Sequence, residues 1–229
     1  GSPLVVGVGD TCTYLASDVP AFVEHTRDVI YLEDGQRVRA DADGYTVFDD
    51  DREPVEVSIE TVSYTAEETG KSGYDHYMLK EIHEQPTALR QCFSGRADAL
   101  DGTITLEEVD EIPQPDAVQF VACGTSYHAA LYGASILREM GIPAEAYLAS
   151  EYALSPPPLS LGTLVVGITQ SGETADTLAA LRDAQSRGVT TLALTNTVNS
   201  TAARECDHAV YIRAGPEIGV AATKTFSSQ

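Results

Sequence analysis

The chain has 229 residues, 43% hydrophobic and 21% charged, and its 35 Asp and Glu against 14 Lys and Arg leave a formal charge of −21. This composition supports a buried core and excludes a disulfide-stapled peptide, a collagen-like fibre and a disordered tail. Without a basic face, nucleic acid is an unsuitable partner, and the longest apolar runs, such as residues 163–168, fall far short of the roughly 20 residues of a bilayer span.

The sequence therefore predicts a soluble cytoplasmic protein with no membrane association. Its charge is uneven: residues 1–116 carry 26 acidic against 8 basic side chains, residues 117–229 only 9 against 6. Two differently built halves are expected. Scarce Lys (Lys71, Lys80 and Lys224) beside abundant Asp suits a halophilic protein, since concentrated salt screens self-repulsion within a few ångströms. Cys12, Cys92, Cys123 and Cys206 form no CxxC pair and no zinc-ligand spacing, so free thiols and no metal are predicted.

From residue 1 to about 64 the pattern is β-like. Strands are predicted over 29–32, 36–39, 45–48 and 55–62, joined as a meander, with Asp34-Gly35 and Asp43-Gly44 as hairpin turns and a short helix near 17–24. Residues 65–74 are polar, with Gly70 and Gly73, and mark a domain boundary. A helix follows over 74–93, with Pro86 predicting a kink or break. His76 and His83, seven apart, are too distant to share a metal. Residues 94–116 read as an acidic loop with a short helical stretch.

Beyond residue 117 short apolar runs at 118–122, 144–148, 164–168, 191–194 and 209–212 alternate with helical stretches at 127–140, 174–187 and 200–205. This alternation predicts a five-stranded parallel sheet covered on both faces. Ligands of such sheets sit beyond the carboxyl ends of the strands.

Two loops at those ends carry the candidate chemistry. Cys123-Gly124-Thr125-Ser126 follows the first strand, and Thr169-Gln170-Ser171-Gly172-Glu173-Thr174 follows the third. Each leads into a helix whose first amides favour an anion, and Thr125, Ser126, Thr169, Ser171 and Thr174 offer hydroxyls to phosphate oxygens. Ordinary helix capping is the competing explanation for any one such loop; two at neighbouring strand ends favour a phosphate grip. Neither GxGxxG nor GxxxxGK[ST] is present, which disfavours dinucleotides and triphosphates. Cys123 has no sequence-adjacent base except His128, so a contact role is assigned to it rather than a nucleophilic one.

These motifs resemble a known family. Cys-Gly-Thr-Ser-Tyr at 123–127, Gln-Ser-Gly-Glu-Thr-Ala-Asp-Thr at 170–177 and Glu-Ile-Gly-Val-Ala-Ala-Thr-Lys-Thr-Phe at 217–226 are similar to the first sugar isomerase (SIS) module of the glutamine–fructose-6-phosphate aminotransferases. The opening Gly-Ser-Pro-Leu-Val-Val-Gly-Val-Gly resembles the end of that family's glutaminase domain, and Tyr74 to Pro86 its interdomain helix.

The resemblance implies a flavodoxin-like SIS fold over 117–229, a linker and interdomain helix over 65–116, and a truncated β-rich remnant of an N-terminal-nucleophile glutaminase over 1–64. It also implies fructose 6-phosphate and glucosamine 6-phosphate as ligands, glutamine as the co-substrate of the complete enzyme, no cofactor, and a homodimer. Ser126, Ser171 and Thr174 would hold the phosphate with Thr169 and Gln170 beside them. Cys123, Gly124 and Thr125 would line the sugar, and Val220 would touch it through its backbone. The catalytic residues are expected outside this piece of a longer chain, which would grip phosphate without turnover. A phosphosugar-sensing SIS module and a stand-alone sugar-phosphate isomerase are the alternatives.

Overall fold

The computed structural model describes residues 4–229 except 34, 43, 63–68, 99–101, 110–111 and 153. The chain forms two compact units, residues 1–75 and 76–229.

The first unit contains β1 (Val5–Val8), β2 (Thr13–Ala16), β3 (Asp28–Tyr31), β4 (Arg37–Asp41), β5 (Gly44–Phe48), β6 (Pro54–Val55) and β7 (Glu60–Thr61). They form two antiparallel sheets, β2-β1-β3-β7 and β4-β5-β6, rather than one meander. The strand expected over 55–62 is two short pieces. Val55 pairs with Val47, whereas Glu60 and Thr61 pair with Val29 and Asp28, so the segment leaves one sheet and joins the other. Pro54, which has no N–H to donate, sits on an edge strand, where that loss is tolerated. The helix expected near 17–24 is a single 3₁₀ turn, Val19–Ala21, capped by the Asp18 carboxylate, which accepts from the Val19 amide at 2.8 Å. Of the two predicted hairpin turns, Asp34 and Asp43 lie outside the described residues, as does much of the polar stretch after Val62. Val5, Val19, Phe22, Val23 and Val29 form the core of this unit.

The second unit opens with α1 (Tyr77–Phe93), which runs unbroken through Pro86. Pro86 cannot donate to the Ile82 carbonyl one turn back, but the Gln85 carboxamide does so at 3.0 Å. The polar group that would have forced a break is thereby satisfied.

Next come β8 (Ala117–Ala122), α2 (Gly124–Glu139), β9 (Ala144–Leu148), α3 (Ala149–Tyr152), β10 (Thr163–Thr169), α4 (Ala175–Ser186), β11 (Thr190–Thr195), α5 (Thr201–Glu205), β12 (His208–Tyr211) and α6 (Lys224–Ser228). The five strands are parallel, in the order β12-β11-β10-β8-β9. Alternation along β10 fills both faces: Val165 packs with Val121, Leu181 and Ala193, while Val166 and Ile168 pack with Ala122, Ala130 and Leu192. The five strands and the three helices predicted after residue 117 all appear within a few residues of their expected bounds. The short α3 and α6 are additional.

Candidate functional site

The path of the chain through the sheet places the site. From β8 it crosses to β9 on one side and returns to β10 on the other, so the connections after β8 and β10 diverge. A crevice opens at such a switch point. Ala122 is paired with Ile168, so the segments beginning at Cys123 and Thr169 leave adjacent strand ends.

Neither helix start spends a side chain on its own cap. Cys123 caps α2 and Thr174 caps α4, and neither makes a side-chain cap hydrogen bond. Simple capping therefore does not account for these residues. The hydroxyls are committed differently. Ser126 is buried in the first turn of α2 and accepts from the Gln229 carboxamide at 3.0 Å. Ser171 accepts from the Glu173 amide at 3.1 Å. Thr169 accepts from the Gly172 amide at 3.2 Å and lies 3.0 Å from the Thr174 hydroxyl, so one proton joins the two.

Each hydroxyl carries one proton and two lone pairs. Protein N–H groups occupy the acceptor side of Ser126, Ser171 and Thr169, and among the described residues one proton each from Ser126, Ser171 and the Thr169–Thr174 pair stays uncommitted. The cluster is a net donor, suited to an anion.

The 169–174 loop is braced from behind. The Gln170 carbonyl accepts from the Asn196 amide at 3.2 Å and from the Thr195 and Thr197 hydroxyls at 3.4 Å each. The Gly172 carbonyl accepts from the Ala202 amide at 3.0 Å, and the Glu173 carboxylate from the Thr201 amide at 2.8 Å. Gly172 has φ +72°, and a Cβ there would lie 2.0 Å from the Ser200 hydroxyl oxygen. Only glycine fits both constraints.

Among the described residues of this unit both lysines are already paired. Lys224 is buried with its ammonium 2.7 Å from Glu84, and Lys80 reaches the same carboxylate at 3.2 Å. Among the described residues no cluster of His, Cys, Asp and Glu suits a metal.

A family model described as the SIS domain matches residues 111–229, just over half of the chain. The chain belongs to the SIS domain family. Over its full length it is 53% identical to the glutamine–fructose-6-phosphate aminotransferase [isomerizing] of Halobacterium salinarum and 49% identical to that of Methanothermobacter thermautotrophicus. It spans 38% of the length of each of these relatives. Among solved structures, the C-terminal domain of glucosamine-fructose-6-phosphate aminotransferase from Francisella tularensis superposes with a TM-score of 0.64 at 40% identity, covering 69% of this chain and 45% of that one. A glucosamine-6-phosphate deaminase from Thermotoga maritima gives 0.54 at 27% identity, covering 66% and 44%.

Within this SIS unit the expected contact residues fall into two groups. Cys123, Gly124, Thr125 and Ser126 follow one strand end, and Thr169, Gln170, Ser171 and Thr174 lie at and after the end of its neighbour. Val220 stands apart on the segment between β12 and α6, its side chain fully exposed. Earlier on that segment, the Asn196 carboxamide accepts from the Ala214 amide at 2.8 Å and donates to the Gly215 carbonyl at 2.7 Å. Sequence reading overlooked Asn196, Glu173 and Gln229 as supports. Glu173 sits inside a motif already singled out, but Gln229 meets Ser126 across 103 residues and leaves no local signal.

Proposed function

We propose that this chain is the sugar-phosphate-gripping part of a glutamine–fructose-6-phosphate aminotransferase, the enzyme that makes glucosamine 6-phosphate from fructose 6-phosphate and glutamine. The observation that carries the reading is the donor array at the switch point, where hydroxyl protons of Ser126, Ser171 and the Thr169–Thr174 pair remain uncommitted. An anion there is met by hydroxyls and by helix amides rather than by lysine, as a phosphate ester requires when the nearby cations are already paired. Full-length identity to proteins of that name supports the same choice.

In this reading Ser126, Ser171 and Thr174 hold the phosphate, with Thr169 and Gln170 beside them. Cys123, Gly124 and Thr125 line the sugar, and Val220 meets it through its backbone. Residues 1–64 belong to a glutaminase domain, 65–116 to a linker and interdomain helix, and 117–229 to the SIS module, in a cytoplasmic homodimer. The residues that open the sugar ring and move protons belong to other parts of the complete enzyme.

The test is Ser171→Ala combined with Thr174→Ala in the full-length protein. Each lost hydrogen bond to a charged phosphate costs about 1.5–3 kcal/mol, so calorimetric affinity for fructose 6-phosphate should fall steeply while glutamine hydrolysis is retained. Unaltered sugar affinity would remove the assignment.

A further inference from the structure

Glu81 is a charged side chain that the phosphate grip does not explain. It lies on α1, is 2% exposed, and belongs to a helix 137 residues away in sequence from its partners. One carboxylate oxygen accepts from the Ile218 amide at 2.6 Å, and both accept from the Gly219 amide at 3.1 Å. A buried carboxylate persists only when such donors replace its lost water.

Gly219 is shaped to this contact: a Cβ there would lie 2.5 Å from the Glu81 oxygen. Three positions along α1, Glu84 grips Lys224 at 2.7 Å, so the same helix holds the segment further on as well. The backbone at 218–219 is thus pinned by a buried charge, yet the adjoining side chains are not core. Ile218 is 39% exposed and Val220 entirely so.

Fixing an exposed turn at the expense of burying a charge makes physical sense when the turn itself meets a ligand. Its location fits. Asn196 joins the Gln170 carbonyl to Ala214 and Gly215, and Ile218 follows three residues later, within about 10 Å of extended chain. The turn therefore follows within a few residues the segment that Asn196 ties to the 169–174 loop, without belonging to the hydroxyl cluster.

We propose that Glu81 is a positioning residue that holds the 218–220 turn at the rim of the phosphate grip, where the turn meets the sugar portion of a sugar phosphate and not its phosphate. This inference rests on the sugar-phosphate reading above. Glu81 acts on affinity for the sugar through the Gly219 backbone and touches no ligand itself.

The test compares two ligands, fructose 6-phosphate and inorganic phosphate, by titration calorimetry on the full-length protein. Glu81→Gln removes one acceptor at constant volume, and Gly219→Ala displaces the carboxylate from the other side. Each should weaken fructose 6-phosphate about tenfold and leave inorganic phosphate within about twofold, as loss of one charge-assisted contact predicts. The double variant should resemble either single one, because both break the same contact. Equal weakening of both ligands would reduce Glu81 to a general structural support, and full additivity would mean the two residues act separately; either overturns the proposal. Undiminished sugar binding in both variants overturns it while leaving the phosphate grip intact. A parent protein that binds neither ligand overturns the grip and the proposal together.

Discussion

Residues 1–75 carry 17 acidic against 5 basic side chains, whereas residues 76–229, about twice as long, carry 18 against 9. The first unit is built from strands of two to five residues with much of their surface in water; along β4 no residue is buried. In the second, β10 is buried at six of its seven positions. An antiparallel sheet with a wet face accommodates a dense acidic coat, while a parallel sheet needs both faces covered and leaves only its strand ends to solvent. The candidate site lies at those ends because rigid, buried strands hold the loops after them to a fixed geometry.

The strongest challenge to this contrast is truncation of one core at a time. Phe22→Ala should cost about 3–5 kcal/mol in the first unit and Leu181→Ala about 2–5 kcal/mol in the second, since both side chains are nearly fully buried. Segment-resolved hydrogen exchange should show lost protection over residues 5–31 for the former and over the β8 to β12 sheet for the latter. Loss across both units from either substitution would mean that they unfold as one.

A smaller effect should separate the units by sign on acidification. In the first, burial pushes the Asp18 carboxyl above its ordinary value, with its hydrogen bond to Val19 opposing. In the second, the hydrogen bond from Arg182 draws Glu205 below its ordinary value, against opposition from burial. A raised carboxyl is a cost when ionised, which protonation relieves as pH falls through its folded value. A lowered one contributes stability above the unfolded value of about 4.3, and that contribution disappears as pH falls through its folded value. Asp18→Asn should therefore blunt a gain in the first unit on acidification, and Glu205→Gln a loss in the second. Exchange rates followed from pH of about 6 down to about 3 would show it, and shifts of the same sign would refute the contrast.

The least effect concerns thiols. Cys12 is exposed in the first unit, while burial pushes the Cys206 thiol in the second up to about 11. At neutral pH Cys206 stays protonated and unreactive, so iodoacetamide followed by peptide mass spectrometry should label Cys12 well before Cys206. Comparable labelling would show that the β11 to β12 edge opens freely.

The alternation of apolar runs with helical stretches after residue 117 was sufficient to predict the parallel sheet, because burial on both faces makes each strand a continuous apolar segment that local composition records. The two hydroxyl-bearing loops were legible for the same reason, being short motifs between well-marked elements. The first unit was harder to read. Val55 and Glu60 lie in one apparent strand but pair in different sheets, and nothing in their own neighbourhood selects the partner.

Sequence alone settled which residues could donate to an anion and that they would follow strands one and three of an αβ sheet. Tertiary structure decided how these groups are engaged and held, through Gln229 on Ser126, the bracing of Gln170 by Asn196, and, further along the chain, the seat of Gly219 on Glu81. Side-chain periodicity is a local consequence of burial, whereas these contacts join atoms from 26 to 138 residues apart and exist only once the chain has closed upon itself.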